Sequence, residues 1–207
     1  NFAKIKLVKL QFEYSLDFEM ARVKQTIAKR DWYKNFSYKL FFPDGFNLDS
    51  KNLSGLKKQI EKEFVPEKMK RLGKAINDYW LKNSELIDKF LKSVPYDVPD
   101  SLIVKLTRYG VGGSYWLPNN IIINVSCSSS AYRHFRTLMH EFVHLLIEKP
   151  VIQKNKLRHE SKEALVDFIM TNNQYLKKMF KNYKIQKPFA RYLPDKKLLA
   201  NFNEFSF

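Results

Sequence analysis

The sequence predicts an α+β fold: a small mixed or antiparallel sheet, a histidine-bearing helix packed on it, and a second helix carrying Glu163. Three observations lead there. Apolar and polar residues alternate strictly over 10–20, and a β-branched run fills 121–125, both marks of strands. Apolar residues spaced by three and four mark helices over 50–94, 131–148 and 158–180. Turn residues between 106 and 121, including Gly110-Val111-Gly112-Gly113, join short strands rather than long helices.

In chain order, residues 10–20 read as one long strand with a buried face, followed by a helix over 21–32. Residues 37–42 read as a second strand closed by the turn Pro43-Asp44-Gly45. Leu53, Leu56, Ile60 and Phe64 then share a helix face, and Pro66 opens the next helix, where Met69, Leu72, Ile76, Tyr79 and Trp80 repeat the spacing. Ser84 begins a third with Leu86, Ile87, Phe90 and Leu91. The joint Tyr96-Asp97-Val98-Pro99-Asp100 divides the chain into an N-terminal mixed portion, 1–95, packed on a C-terminal core, 96–207. That core starts with strands at 102–106 and 121–125. Ser128-Ser129-Ser130 supplies N-caps for the helix that follows, and a further helix covers 158–180.

Composition bounds the function. The 207 residues are 44% hydrophobic with six Gly and eight Pro, enough apolar material for a core and too little Gly and Pro for a low-complexity chain. Cys127 is alone, which excludes a disulfide framework, a cysteine zinc finger and an iron–sulfur cluster. Apolar runs such as 121–125 are too short for a membrane span. Lys and Arg number 37 against 21 Asp and Glu, a net charge of +16 that draws polyanions. Most of the surplus is lysine interleaved with glutamate along the chain, without an arginine–aromatic cluster, which argues against nucleic acid as the main partner. The chain opens on Asn1 rather than Met, so a removed export signal and a trimmed cytoplasmic protein are about equally expected.

The chemistry concentrates in His140-Glu141-Phe142-Val143-His144, an H-E-x-x-H motif in a chain with four histidines. Phe135, Leu138, Met139, Phe142, Leu145 and Leu146 form the apolar stripe of its helix, and His140 and His144 lie one turn apart on the opposite face. Imidazoles at that spacing converge on one Zn²⁺, and Glu141, rotated by about 100°, stands beside the metal as a base for a water there. Two solvated surface histidines are the bland alternative. A catalytic zinc needs a third protein ligand and an open position. Glu160, Glu163 and Asp167 fall on one face of the next helix, and His159 stands at a similar distance along the chain.

The pair His140-Glu141-x-x-His144 and Glu163-Ala164-Leu165-Val166-Asp167 resembles the gluzincin pattern of zinc metallopeptidases, in which E-x-x-x-D follows H-E-x-x-H on the next helix. The run Thr137-Leu138-Met139-His140-Glu141 with Leu145-Leu146 is also similar to small bacterial ImmA/IrrE-type peptidases, although their F-A-x-x-L-M-P ending is replaced here by Phe168-Ile169-Met170-Thr171-Asn172. The resemblance covers about 102–180. It implies zinc held by His140, His144 and Glu163, with Asp167 hydrogen-bonding a ligating histidine. Glu160 ranks second and His159 third as the third ligand, because Glu163 lies one turn before Asp167.

Peptidases of this kind hold substrate as an added strand. Gly112-Gly113-Ser114-Tyr115-Trp116, with Gly113, Ser114 and Tyr115 at its centre, is the candidate edge; a plain hairpin turn accounts for it equally well. Tyr115, His159, Tyr175, Arg191 and Tyr192 are all eligible to stabilise a transition state, whereas His134 reads as structural or solvated. The expected function is zinc-dependent hydrolysis of a peptide or protein substrate, with Glu141 as catalytic base. The alternative is a non-catalytic zinc module that binds a protein or nucleic-acid partner through its basic surface. The sequence leaves the oligomeric state open.

Overall fold

The computed structural model describes residues 7–46, 55–184, 186, 188–194 and 199. Strands β1 (Lys9–Glu13), β2 (Ser101–Thr107), β3 (Gly113–Trp116) and β4 (Asn120–Asn124) form one mixed sheet in the order β1-β2-β4-β3. The first three in that order run parallel, and β3 lies antiparallel to β4 at the edge. Ile121, Ile122 and Ile123 are all fully buried, as expected of a short continuous apolar run covered on both faces. Because β1 pairs with β2, strands from both sides of the joint at 95/96 share a single sheet. Among the described residues no helix is long and apolar enough to cross a membrane.

The long N-terminal strand is a correction. Only Lys9–Glu13 is extended, and α1 (Leu16–Ala28) begins where alternation suggested more strand. The Ser15 hydroxyl accepts a hydrogen bond from the Phe18 amide at 3.2 Å, and Asp17 and Glu19 favour the positive end of the helix dipole. Leu16, Met20, Val23 and Ile27 then share one face and pack with Leu56, Ile60 and Tyr109. Alternation and this helical spacing coincide in the sequence, and the cap decides between them. A short α2 (Arg30–Asn35) follows. The strand expected over 37–42 reduces to one bridge, in which Phe41 and Gly110 exchange both backbone hydrogen bonds.

Helices α3 (Leu56–Glu63), α4 (Pro66–Lys82) and α5 (Ser84–Ser93) match the periodic segments; Leu53 lies outside the described residues. Helix α6 (Ala131–Ile147) is capped by Ser130, whose hydroxyl accepts from the Arg133 amide. It packs against α4, β3, β4 and α7 (His159–Asn172). Every residue from Leu138 to Ile147 is buried, so this helix occupies the centre of the molecule rather than presenting a solvated face. The second helix of the core also stops earlier than its spacing suggests. Asn173 caps a separate α8 (Gln174–Met179), its side chain accepting from the amides of Tyr175 and Leu176.

One buried carboxyl outside the site links the N-terminal portion to the sheet. Glu19, 1% exposed, accepts from Thr107 Oγ1 at 2.5 Å and from the Arg108 amide at 2.9 Å, and burial pushes it up to about 7. Its folded value lies above its unfolded one, so its contribution to stability is complete below about pH 4.5 and is lost as pH rises through 7, a change of about 3 kcal/mol. Glu19→Gln mimics the protonated form. Its thermal midpoint is expected to equal that of the parent near pH 5 and to exceed it above pH 8; a variant no more stable than the parent at high pH contradicts the buried-acid reading.

Candidate metal centre

Helix α6 places His140 and His144 one turn apart, 8% and 1% exposed, and α7 brings Glu163 against them at 7% exposure. The fully buried Ala164, Leu165 and Val166 form the packed body of α7 around Glu163. His140 Nε2 and His144 Nε2 are 3.2 Å apart, and Glu163 Oε2 lies 3.3 and 3.4 Å from them. Three donors on a tetrahedral ion with bonds of 2.0–2.1 Å stand about 3.3 Å from one another. The residues therefore fit a metal ion of that size, and His140, His144 and Glu163 are the metal-ligand group present among the described residues.

Hydrogen bonding fixes the tautomer of His140. The Tyr183 hydroxyl donates to Asp167 Oδ1 at 2.6 Å, so it accepts from His140 Nδ1–H at 2.7 Å, which leaves Nε2 as the ring nitrogen that faces Glu163 and offers a lone pair once its proton is displaced. The expected direct bond from Asp167 to a ligating histidine is thus corrected. Asp167 Oδ1 stands 3.7 Å from His140 Nδ1, and the hydroxyl of Tyr183 fills the gap. The Gln186 amide holds the other Asp167 oxygen at 2.7 Å. The ring of Tyr115 stacks on His144 at 4.9 Å, and His144 Nδ1 has no hydrogen-bond partner. Tyr183→Phe is expected to weaken metal affinity by about 10–100-fold without unfolding the chain. An unchanged affinity in a zinc titration would remove Tyr183 from the support of the site.

The electrostatics are those of converging donors. Burial favours the neutral Glu163 carboxyl, but the two imidazoles more than offset it and hold the group well below its usual range. Burial lowers His144 to about 4; it opposes protonation of His140 as well, yet the bond to Glu163 and the nearby acids push His140 up to about 9. Without a metal the added proton therefore rests on His140 while His144 stays neutral, and a cation that displaces it meets a carboxylate and two lone pairs.

Glu141 lies beside the cluster, 7% exposed, and burial pushes it up to about 7 against the pull of His140, Lys162 and Arg22. Among the described residues its carboxylate accepts no protein hydrogen bond, which leaves it free for a water. Gly113 makes the close approach possible. A Cβ there would collide with Glu141 Oε1 and lie 2.8 Å from Thr137 Cγ2. Gly113, Ser114, Tyr115 and Trp116 form the edge strand β3, whose unpaired side faces a cleft of 1210 Å³. That volume exceeds the usual 300–1,000 Å³ of small-molecule sites. Its far wall comes from the N-terminal portion through Arg22, Gln25, Trp32, Tyr33 and Tyr38, residues that sequence reasoning passed over.

The remaining candidates separate cleanly. Tyr115 donates to Glu148 at 2.5 Å and receives Lys162 Nζ at 3.1 Å, so its hydroxyl is engaged. His159 meets the Tyr38 hydroxyl at 2.8 Å through Nε2 and stands among Trp32, Phe36 and Phe189. Its Nδ1 is 3.7 Å from Glu163 Oε1, outside the donor triangle. Tyr175, Arg191 and Tyr192 do not line the cleft. His134 is buried and bonded to the Ser128 carbonyl, a structural group. Tyr183 gave no periodic or motif signal, since it lies beyond α8. No protein-family model, curated protein or solved structure matches this chain.

Proposed function

We propose that this protein is a zinc-dependent peptidase of the gluzincin type, with His140, His144 and Glu163 holding the metal and Glu141 as general base. The observation that carries the proposal is the donor triangle of 3.2, 3.3 and 3.4 Å built by an H-E-x-x-H helix and the glutamate of the next helix, with Glu141 at its rim. Bound zinc supplies Lewis-acid polarisation of a water and of the substrate carbonyl. Glu141 takes the proton of the attacking water on its free carboxylate and returns it to the leaving amine. Its position near neutrality suits both halves of that transfer. Asp167, through Tyr183, keeps the His140 Nε2 lone pair on the metal side. The open side of β3 offers backbone groups to an extended peptide next to Glu141, and the cleft is large enough to receive one.

Incubation of the zinc-loaded protein with a mixture of unstructured peptides, read by mass spectrometry, tests the proposal. New termini that disappear on chelation and return with zinc are expected. Intact peptides after prolonged incubation with metal-loaded protein would contradict it and favour the non-catalytic zinc module.

A further inference from the structure

Arg22 is 2% exposed, yet it lines the cleft. Its Nη1 donates to Gln25 Oε1 at 2.9 Å, while Nε and Nη2 are buried without an acceptor. Glu141 and Glu19 act on it only as charges at a distance, and the Tyr33 hydroxyl is within weak hydrogen-bonding reach of the guanidinium without satisfying Nε or Nη2. Among the described residues no carboxylate forms an ion pair with it. A buried guanidinium with unmatched donors is costly, and such a group calls for a partner. The scaffold nonetheless fixes it in place: a Cβ at Gly110 would stand 2.6 Å from Nε and 3.0 Å from Thr26 Oγ1. The neutral amide oxygen of Gln25, itself a cleft residue, occupies the place where a carboxylate oxygen would sit.

Resting on the peptidase reading, we infer that Arg22 receives a carboxylate of the peptide substrate. The carboxylate replaces Gln25 Oε1 at Nη1 and takes Nη2 as its second donor, the planar two-point geometry that guanidinium offers and ammonium does not. Its distance from the reaction is bounded by the chain. Gly110 abuts Arg22 and Gly113 abuts Glu141, and three residues span at most about 10 Å. The two contacts add about 4 Å at each end, so the recognised carboxylate lies within about five residues of the bond hydrolysed. A C-terminal carboxylate and an acidic side chain share this chemistry.

Binding of N-acetylated alanine peptides to the zinc-loaded full chain distinguishes the two sources. One peptide ends in a free acid and its twin in an amide; a second amide carries one internal Glu and its twin Gln. At least one acid is expected to bind about tenfold tighter than its neutral twin, and the pair that shows the difference names the source. Arg22→Gln removes that preference, so that acids and neutral twins bind alike. Gln25→Ala keeps the arginine, removes the competing amide and enlarges the preference, so the inference stays testable should Arg22→Gln not fold. Equal binding of acids and neutral twins, a preference that survives Arg22→Gln, or one that Gln25→Ala leaves unchanged overturns the inference. A single-stranded oligonucleotide that binds tighter than every acid with the same Arg22 dependence overturns it as well. A parent that prefers acids but cleaves nothing refutes the peptidase reading alone, whereas one that cleaves acidic and neutral peptides alike refutes the Arg22 assignment alone.

Discussion

Glu141→Gln is expected to lower kcat by about 10²–10⁴-fold while zinc content and thermal midpoint stay close to those of the parent. The amide preserves the shape of a side chain that is 7% exposed and packed against Gly113, so the fold has no reason to change. What the amide lacks is a basic oxygen for the proton of the attacking water. Single-turnover hydrolysis at matched zinc occupancy is the measurement. Near-normal turnover would move the base elsewhere, with Glu160 the first residue to examine. No turnover in either protein, with full zinc in both, would support the binding module instead.

Glu163→Ala is expected to raise the dissociation constant for zinc by more than about 100-fold, because it removes one of three donors and the only negative charge in the triangle. Glu160→Ala should leave zinc binding nearly intact. His159→Ala should do the same, since its Nδ1 stands 3.7 Å from Glu163 Oε1 and its other nitrogen is engaged with Tyr38. Competition with a chromophoric chelator separates the three variants. Parent-like affinity in Glu163→Ala together with loss in either of the others would mean that α7 presents a different face to α6.

The α+β class and the central helix were legible because local signals agreed there. Ser130 caps α6, its apolar residues repeat at helical spacing, and His140 and His144 fall one turn apart whatever surrounds them. The partner helix was legible for the same reason, although its end was not: only the capping role of Asn173 breaks a periodicity that otherwise continues. The start of α1 was misread because a period-two pattern and a helical face coexist over Leu16–Met20, and Ser15 resolves them through one hydrogen bond. Arg22 and Gln25 fall within the helix expected over 21–32, and only tertiary packing brings them to the cleft.

Long-range pairings left no trace in spacing. Tyr183 meets His140 across 43 residues and Tyr38 meets His159 across 121, and neither tyrosine belongs to a periodic element. The burial of α6 was hidden for a related reason. A helix with histidines and a glutamate opposite its apolar stripe reads as a surface helix until a second helix supplies Glu163 to the polar side.

The metal content of protein purified without chelators, combined with anomalous diffraction at the zinc edge, tests the metal centre most directly. About one zinc per chain is expected, with a single anomalous peak between His140, His144 and Glu163, and removal of the metal should lower the thermal midpoint. Purified protein without a transition metal, together with a thermal midpoint indifferent to added zinc, would contradict both the metal site and the hydrolysis proposed to depend on it.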